Sequence, residues 1–372
     1  PNKKYDFLLK NQVGGTVSIP IKSILITGVT GFLGAHILYE LIHSSVQRIF
    51  CIVRPLENIC AEIRLLNILQ YYFPHSNFTE IPEKITILTG DITNYNLINI
   101  LPSHVDFVIH CAATVNHFGS FGSYQSINID STKRLLHYAK QVDAVFVYIS
   151  SISISGNSSL RFSNSDLPPF DETCFANGQM LDNNYVLSKY YCEKAILDSI
   201  QDGCKVKIIR IGNLTNRYND LCFQPNYQTN AFLCRLRAMT ELHYIPESWL
   251  NKTIDFSPVD EVSKAIVKIC FHYEPDFYIY HVFPNPSITY NQLIDVLSSF
   301  SISVIPVPMN TFKEKLFNGF SNRKGKLIKY FVGIMDSDGN FQISNAITVS
   351  NKRTLQFLKK IQYKWSLLDE QY

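Results

Sequence analysis

Residues 24–38 read ILITGVTGFLGAHIL. An apolar, β-branched run ends at Thr27, three glycines follow at intervals of three (Gly28, Gly31, Gly34), and an amphipathic run then takes over. A strand passing through a tight glycine turn into a helix is the context that a dinucleotide fingerprint requires. In it Gly28 permits the turn, Gly31 lets the backbone approach a pyrophosphate, and Gly34 lets the helix pack close to the sheet. Thr27, Thr30, Phe32 and Leu33 complete the lining of that loop, and the phosphates would sit at the helix N-terminus. The same spacing also fits a plain turn between a buried strand and a helix, so the surrounding sequence has to decide.

Working outward, short β-branched runs alternate with longer segments of helical period: 23–27, 48–53, 84–88, 106–111, 144–149 and 205–210. Such runs, separated by helical stretches, imply right-handed crossovers and a parallel sheet covered on both faces, a doubly wound α/β fold. After Arg210 the rhythm breaks into a turn-rich stretch, followed by a helical AFLCRLRAMTEL (231–242), a helix within 256–271 and a strand within 277–283. The expected division is a linker-like extension over 1–20, a nucleotide-binding domain over 21–210 to which 251–283 return, and a smaller, mostly helical substrate lobe from 211–250 and 284–372. Aromatics at helical intervals near the end, in LQFLKKIQYKWSLLDEQY and beside NGFSNRKGK, read as core.

The bulk composition agrees. The 372 residues are 46% hydrophobic, enough for one large core or two modest ones. The net charge of +3 is dispersed without blocks of Lys and Arg, so neither nucleic acid nor an anionic membrane is indicated as a partner. Nine cysteines occur singly without a CxxC pair, which suggests thiols in a reducing, cytoplasmic compartment and no metal site. No apolar run is long enough to cross a membrane, and the opening PNKKYDFLLKNQVGG has no signal-peptide core.

The second strand ends CIVRP, with Arg54 where an NAD-preferring protein carries an acidic group for the ribose 2′-hydroxyl, and Arg64 follows in the next helix. A guanidinium cannot accept a hydrogen bond but can grip a 2′-phosphate, which favours NADPH. After the third strand TGDIT puts Asp91 and Ile92 at the adenine end; Asp91 equally suits a cap for the helix near Asn94. After the fourth, HCAAT puts the small Cys111, Ala112 and Ala113 beside the cofactor.

YVLSK places Tyr185 and Lys189 on one helical face, one turn apart. A phenol with its usual pKa of about 10 is poorly matched to neutral pH, and an adjacent ammonium would stabilise its ionised form. In a chain with 21 tyrosines the spacing also arises by chance; its position after the fifth strand is what gives it weight. A hydroxyl donor at the end of that strand completes the set, and VYISSISISG offers Ser150, Ser151 and Ser153.

With these landmarks in order over residues 23 to 270, the chain resembles the extended short-chain dehydrogenases/reductases, and among them the terminal thioester reductase domains of nonribosomal peptide synthetases and carboxylic acid reductases. AATVN (112–116) and FSPVD (256–260) carry the resemblance more specifically than the glycine run. It implies Ser151 as the hydroxyl residue, five positions before Gly156, where the family usually has Thr, with Tyr185 and Lys189 as its catalytic partners. It also implies that Val115, Pro258, Val259 and Asp260 line the substrate cleft; Asp260 also suits an N-cap. RIGNLTN departs from the family, with Ile211 in place of its Pro and Asn213 in place of its second Arg. The implied activity is NADPH-dependent reduction of a peptidyl or acyl thioester to an aldehyde, on a phosphopantetheine arm of an upstream peptidyl carrier domain, by a monomeric excised domain. The alternatives are a fatty acyl-CoA reductase, a nucleotide-sugar epimerase and a non-catalytic NADP-binding redox sensor.

Overall fold

A computed structural model describes residues 3–10, 17–18, 20–115, 121–157, 169–181, 183–284, 287–317, 331, 341, 347–368 and 372. Seven strands form the central sheet: β1 (Ser23–Thr27), β2 (Arg48–Val53), β3 (Ile85–Thr89), β4 (Phe107–His110), β5 (Val145–Ser151), β6 (Val206–Ile211) and β7 (Ile279–Val282). All pairings are parallel, in the order β7-β6-β5-β4-β1-β2-β3. The six runs expected from sequence are strands, and FYIYHVF contributes the seventh. Chain order reverses between β1 and β4, which opens a crevice at the carboxyl ends of the strands.

Alternation along β1 explains the two cores. Ile24 and Ile26 face one layer with Ile49, which α2 (Phe32–Ile42), α3 (Ala61–Tyr72) and α7 (Val259–Phe271) cover through Ile37, Leu41, Leu65, Val262 and Ile266. Leu25 faces the other with Val108, Phe146 and Ile208, covered by α4 (Ser131–Gln141) and α5 (Asn184–Ser199) through Leu135, Leu136, Ile196 and Leu197. A strand buried on both faces needs an apolar side chain at every position, hence the unbroken runs. A third core, centred on the buried Trp249, joins α6 (Ala231–Leu242), α8 (Tyr290–Ser299) and α9 (Met309–Phe317) into the smaller lobe. Among the described residues no helix is long and apolar enough to cross a membrane.

Two segments depart from the expected division. Within the stretch read as a linker, α1 (Lys3–Lys10) buries Tyr5 and Leu9, and the Tyr5 hydroxyl donates to Asp198 on α5 at 2.8 Å. Tyr5, Leu8 and Leu9 share one helical stripe, and that stripe docks on the α5 side of the sheet. Within the stretch assigned to the substrate lobe, α10 (Lys352–Lys360) packs Phe357 and Leu358 into the sheet core, while Thr354 accepts from the His281 amide of β7 at 2.8 Å. Tyr363 and Trp365 pack against that core too, as the aromatic spacing suggested; NGFSNRKGK lies outside the described residues.

Candidate active site

The glycine loop packs too closely on its own backbone to carry side chains at Gly28 and Gly34. Gly28 has φ +76°, and a Cβ there would stand 2.7 Å from the Ala112 nitrogen. A Cβ on Gly34 would stand 2.1 Å from the Gly28 carbonyl oxygen. Gly31 is the N-cap of α2; it brings no side-chain hydrogen bond to the first turn, and that turn holds no acidic residue. The orphan amides at that helix end are therefore free of side-chain caps and suit an anion. Thr27 is fully buried and acts as a brace: its hydroxyl accepts from the Ala112 amide at 3.1 Å and contacts His110 Nδ1 at 2.7 Å. This ties the Cys111–Ala112 turn after β4 to the glycine loop. Phe32 turns its ring toward Tyr72 and Phe223 and Leu33 is buried, so only their backbone is left to the loop.

At the far side of the crevice, Arg54 follows β2 with its side chain 62% exposed and its Nη1 3.2 Å from Asp91 Oδ2. Arg64, from α3, donates to the Arg54 carbonyl. Asp91 Oδ1 accepts from both the amide and the hydroxyl of Thr93 at 2.8 Å, while Asn94 caps the next helical turn, so the capping role considered for Asp91 belongs to Asn94. Ile92 packs its side chain inward, and its carbonyl accepts from Arg134 at 2.6 Å.

The third group gathers at the end of β5. Register puts Ser150 and Ser151 on opposite faces: Ser150 is buried and donates to Glu193 at 2.6 Å, whereas Ser151 is half-buried and accepts from the Ser153 hydroxyl at 2.8 Å. Asn183 caps α5 by accepting from the Val186 amide at 2.8 Å, which fixes Tyr185 in the first turn. Burial pushes the Tyr185 phenol up to about 12, against a hydrogen bond with Ser151 that pulls it down. Lys189 donates to the Ile149 carbonyl at 2.7 Å, with Nζ 4.7 Å from the Tyr148 ring centre and 5.9 Å from that of Tyr185. Its own burial brings the ammonium down to about 8. One of the Lys189 N–H groups is thus held by a strand carbonyl, and burial rather than the ammonium sets the direction of the Tyr185 shift. Burial likewise raises the Cys111 thiol to about 12, so it is no nucleophile at neutral pH.

Of the residues read as substrate-lining, Val115 is exposed near the end of the β4 loop. Pro258, Val259 and Asp260 are buried instead, at the junction of the short 214–215/257–258 pairing and α7. Asp260 lies one residue inside that helix, with Oδ1 accepting from the amides of Tyr218 and Glu261 at 2.9 and 3.0 Å, so it is not the N-cap either. Asn213, one of the departures from the family pattern, latches Asp255 with its amide at 2.6 Å and its side chain at 2.7 Å. Ile211 pairs with Ser151.

Sequence reasoning missed Asn128, which is buried in a π-helical turn (Gln125–Asp130) leading into α4. Its side chain accepts from the Thr114 amide at 2.8 Å and donates to Ser188, next to Lys189, at 2.9 Å. It thereby fixes the β4 loop against α5. The AATVN landmark runs up to this contact, but its last residue, Asn116, lies outside the described residues.

The NAD-binding family described as Male sterility protein matches residues 26–266, more than half of the chain, and the chain belongs to that family. It is 26% identical over 283 residues to glycine betaine reductase ATRR of Emericella nidulans, covering 70% of this chain and 21% of that protein. It is 24% identical over 365 residues to a linear gramicidin synthase of Brevibacillus parabrevis, covering 94% of this chain and 7% of that one. A thiolation-reductase di-domain from an archaeal non-ribosomal peptide synthetase superposes with a TM-score of 0.82 at 27% identity, covering 100% of this chain and 94% of that chain. The chain thus spans a small part of the curated relatives it matches. Fold and family give it the nicotinamide-nucleotide-binding architecture of the extended short-chain dehydrogenase/reductase type.

Proposed function

We propose that this chain reduces a carrier-bound acyl or peptidyl thioester with NADPH and releases an aldehyde. The observation that carries this reading is the Ser151–Tyr185 hydroxyl pair at the carboxyl end of β5, with Lys189 one turn on, beside a glycine cradle that a Cβ would fill. The similarity to a thiolation-reductase di-domain supports a carrier domain with a phosphopantetheine arm as the partner.

NADPH supplies hydride when it is bound. The backbone of Gly28, Gly31 and Gly34 would hold its pyrophosphate, and Arg54 with Arg64 would hold the 2′-phosphate that NADH lacks. Ser151 and Tyr185 both donate hydrogen bonds to the thioester oxygen, where negative charge develops. Tyr185 then gives that oxygen its proton. Reduction consumes a proton, so a phenol held protonated by burial serves this direction. Loss of the carbon–sulfur bond from the hemithioacetal frees the carrier thiol and leaves the aldehyde; a second round would give the alcohol. Lys189 holds the strand at Ile149 and, through it, the position of Ser151.

Incubation of the chain with NADPH and an acyl thioester, on carrier or CoA, with hydrazine trapping of the product tests this. One aldehyde formed per NADPH oxidised is expected. Tight NADPH binding with no oxidation by any thioester would instead fit a redox-sensing binding protein.

A further inference from the structure

The smaller lobe encloses a cleft of about 1000 Å³ between α6, α8, the 214–227 segment and residues 366–368 with Tyr372. Phe223, Phe232, Leu236, Phe256, Leu293 and Val296 line it, and among the described residues its only charged lining residue is Asp295, which is exposed. Four large apolar side chains that remain exposed converge there: Leu221 (51%), Tyr227 (45%), Phe300 (63%) and Leu367 (75%). Apolar surface gathered on one concave site, without a buried charge to satisfy, suits an uncharged apolar ligand.

The cleft is joined to the end of β5 along the chain. Leu214 and Thr215 form part of its wall and stand three and four residues past Ile211, the register partner of Ser151. Three extended residues span about 10 Å, within reach of a flexible acyl chain. Ser366 and Tyr372, on another wall, are each tethered to the rest of the fold. The Ser366 amide donates to Glu261 at 3.1 Å, and the Tyr372 hydroxyl donates to the Asn216 carbonyl at 2.8 Å.

From this we infer that the cleft is the acyl-binding site and selects thioesters whose acyl group has an uncharged apolar body of roughly eight carbons or more. The inference rests on the thioester reductase reading for the link to the reaction, but not for the binding itself. S-acyl pantetheines from acetyl to dodecanoyl are titrated calorimetrically into the chain without NADPH, and kcat/KM is measured for the same series with NADPH. Affinity and kcat/KM are expected to rise about fourfold per methylene up to the octanoyl ester. Val296→Trp, which fills the cleft, and Phe300→Ser, which strips its rim, should each flatten that dependence. NADPH fluorescence on binding checks that both variants are folded.

Binding that climbs with chain length while nothing is reduced would uphold the cleft and remove the reductase reading. Reduction at a rate indifferent to chain length would do the reverse. Affinity that climbs equally in wild type and both folded variants would place the acyl group elsewhere and overturn the inference.

Discussion

Lys189 is held by two opposed effects. Burial brings its ammonium down to about 8, yet the contact with the Ile149 carbonyl is strongest for the charged form. Because the protonated form is the one that holds β5, turnover should fall as pH rises through about 8, a limb visible in kcat measured from pH 6.5 to 9.5. In Lys189→Arg the guanidinium does not titrate in that range, so the limb should vanish, whatever the absolute rate. Arg54 gives a second prediction at this scale. Arg54→Ala should raise Kd for NADPH at least about tenfold while leaving NADH within about twofold, checked by fluorescence titration; equal losses would count against a phosphate contact. Tyr185 and Lys189 were legible as a pair because helical spacing puts them on one face and the run follows the fifth strand. Alternation alone left Ser150 and Ser151 open and the family resemblance chose Ser151; the packing of Ser150 against Glu193 shows which face each takes. Asn128 left no local signal, because its partners Thr114 and Ser188 are brought to it by the fold.

Among the elements, the strand-turn-helix around Gly28 was the most legible, for its glycines answer to steric demands that any L side chain would violate. Gly34→Ala would drive a methyl into the Gly28 carbonyl oxygen and should cost about 2–3 kcal/mol in urea unfolding, with loss of NADPH binding. Less legible were the elements whose stripes had no obvious destination. The apolar stripe of α1 reads as a linker until α5 offers it a surface, and that of α10 reads as part of the lobe until Thr354 meets β7. A short amphipathic helix shows which face it buries but not against what. Pro258 to Asp260 show the same limit: FSPVD marks where α7 begins, but how deeply the fold buries those residues is not written in the motif.

Across the whole molecule a buried ion pair joins the parts that sequence could only number. Arg210 on β6 and Glu193 on α5, both fully buried, meet at 2.7 Å. Glu193 also accepts from Ser150, while Arg210 donates to the Cys174 carbonyl at 2.9 Å and contacts His281 of β7 at 3.0 Å. One cluster thus links β5, β6, α5 and the segment before α5. Arg210→Met leaves the Glu193 carboxylate buried without its cation and should cost about 3–5 kcal/mol in chemical unfolding, with much of that recovered in Arg210→Met/Glu193→Leu. What this scaffold holds in place is the Tyr185 phenol beside Ser151. The most direct measurement is therefore the rate of NADPH oxidation by Tyr185→Phe with an acyl thioester, alongside its NADPH affinity. A fall of about a hundredfold or more with nucleotide binding unchanged is the expected result; near-normal turnover would contradict the account.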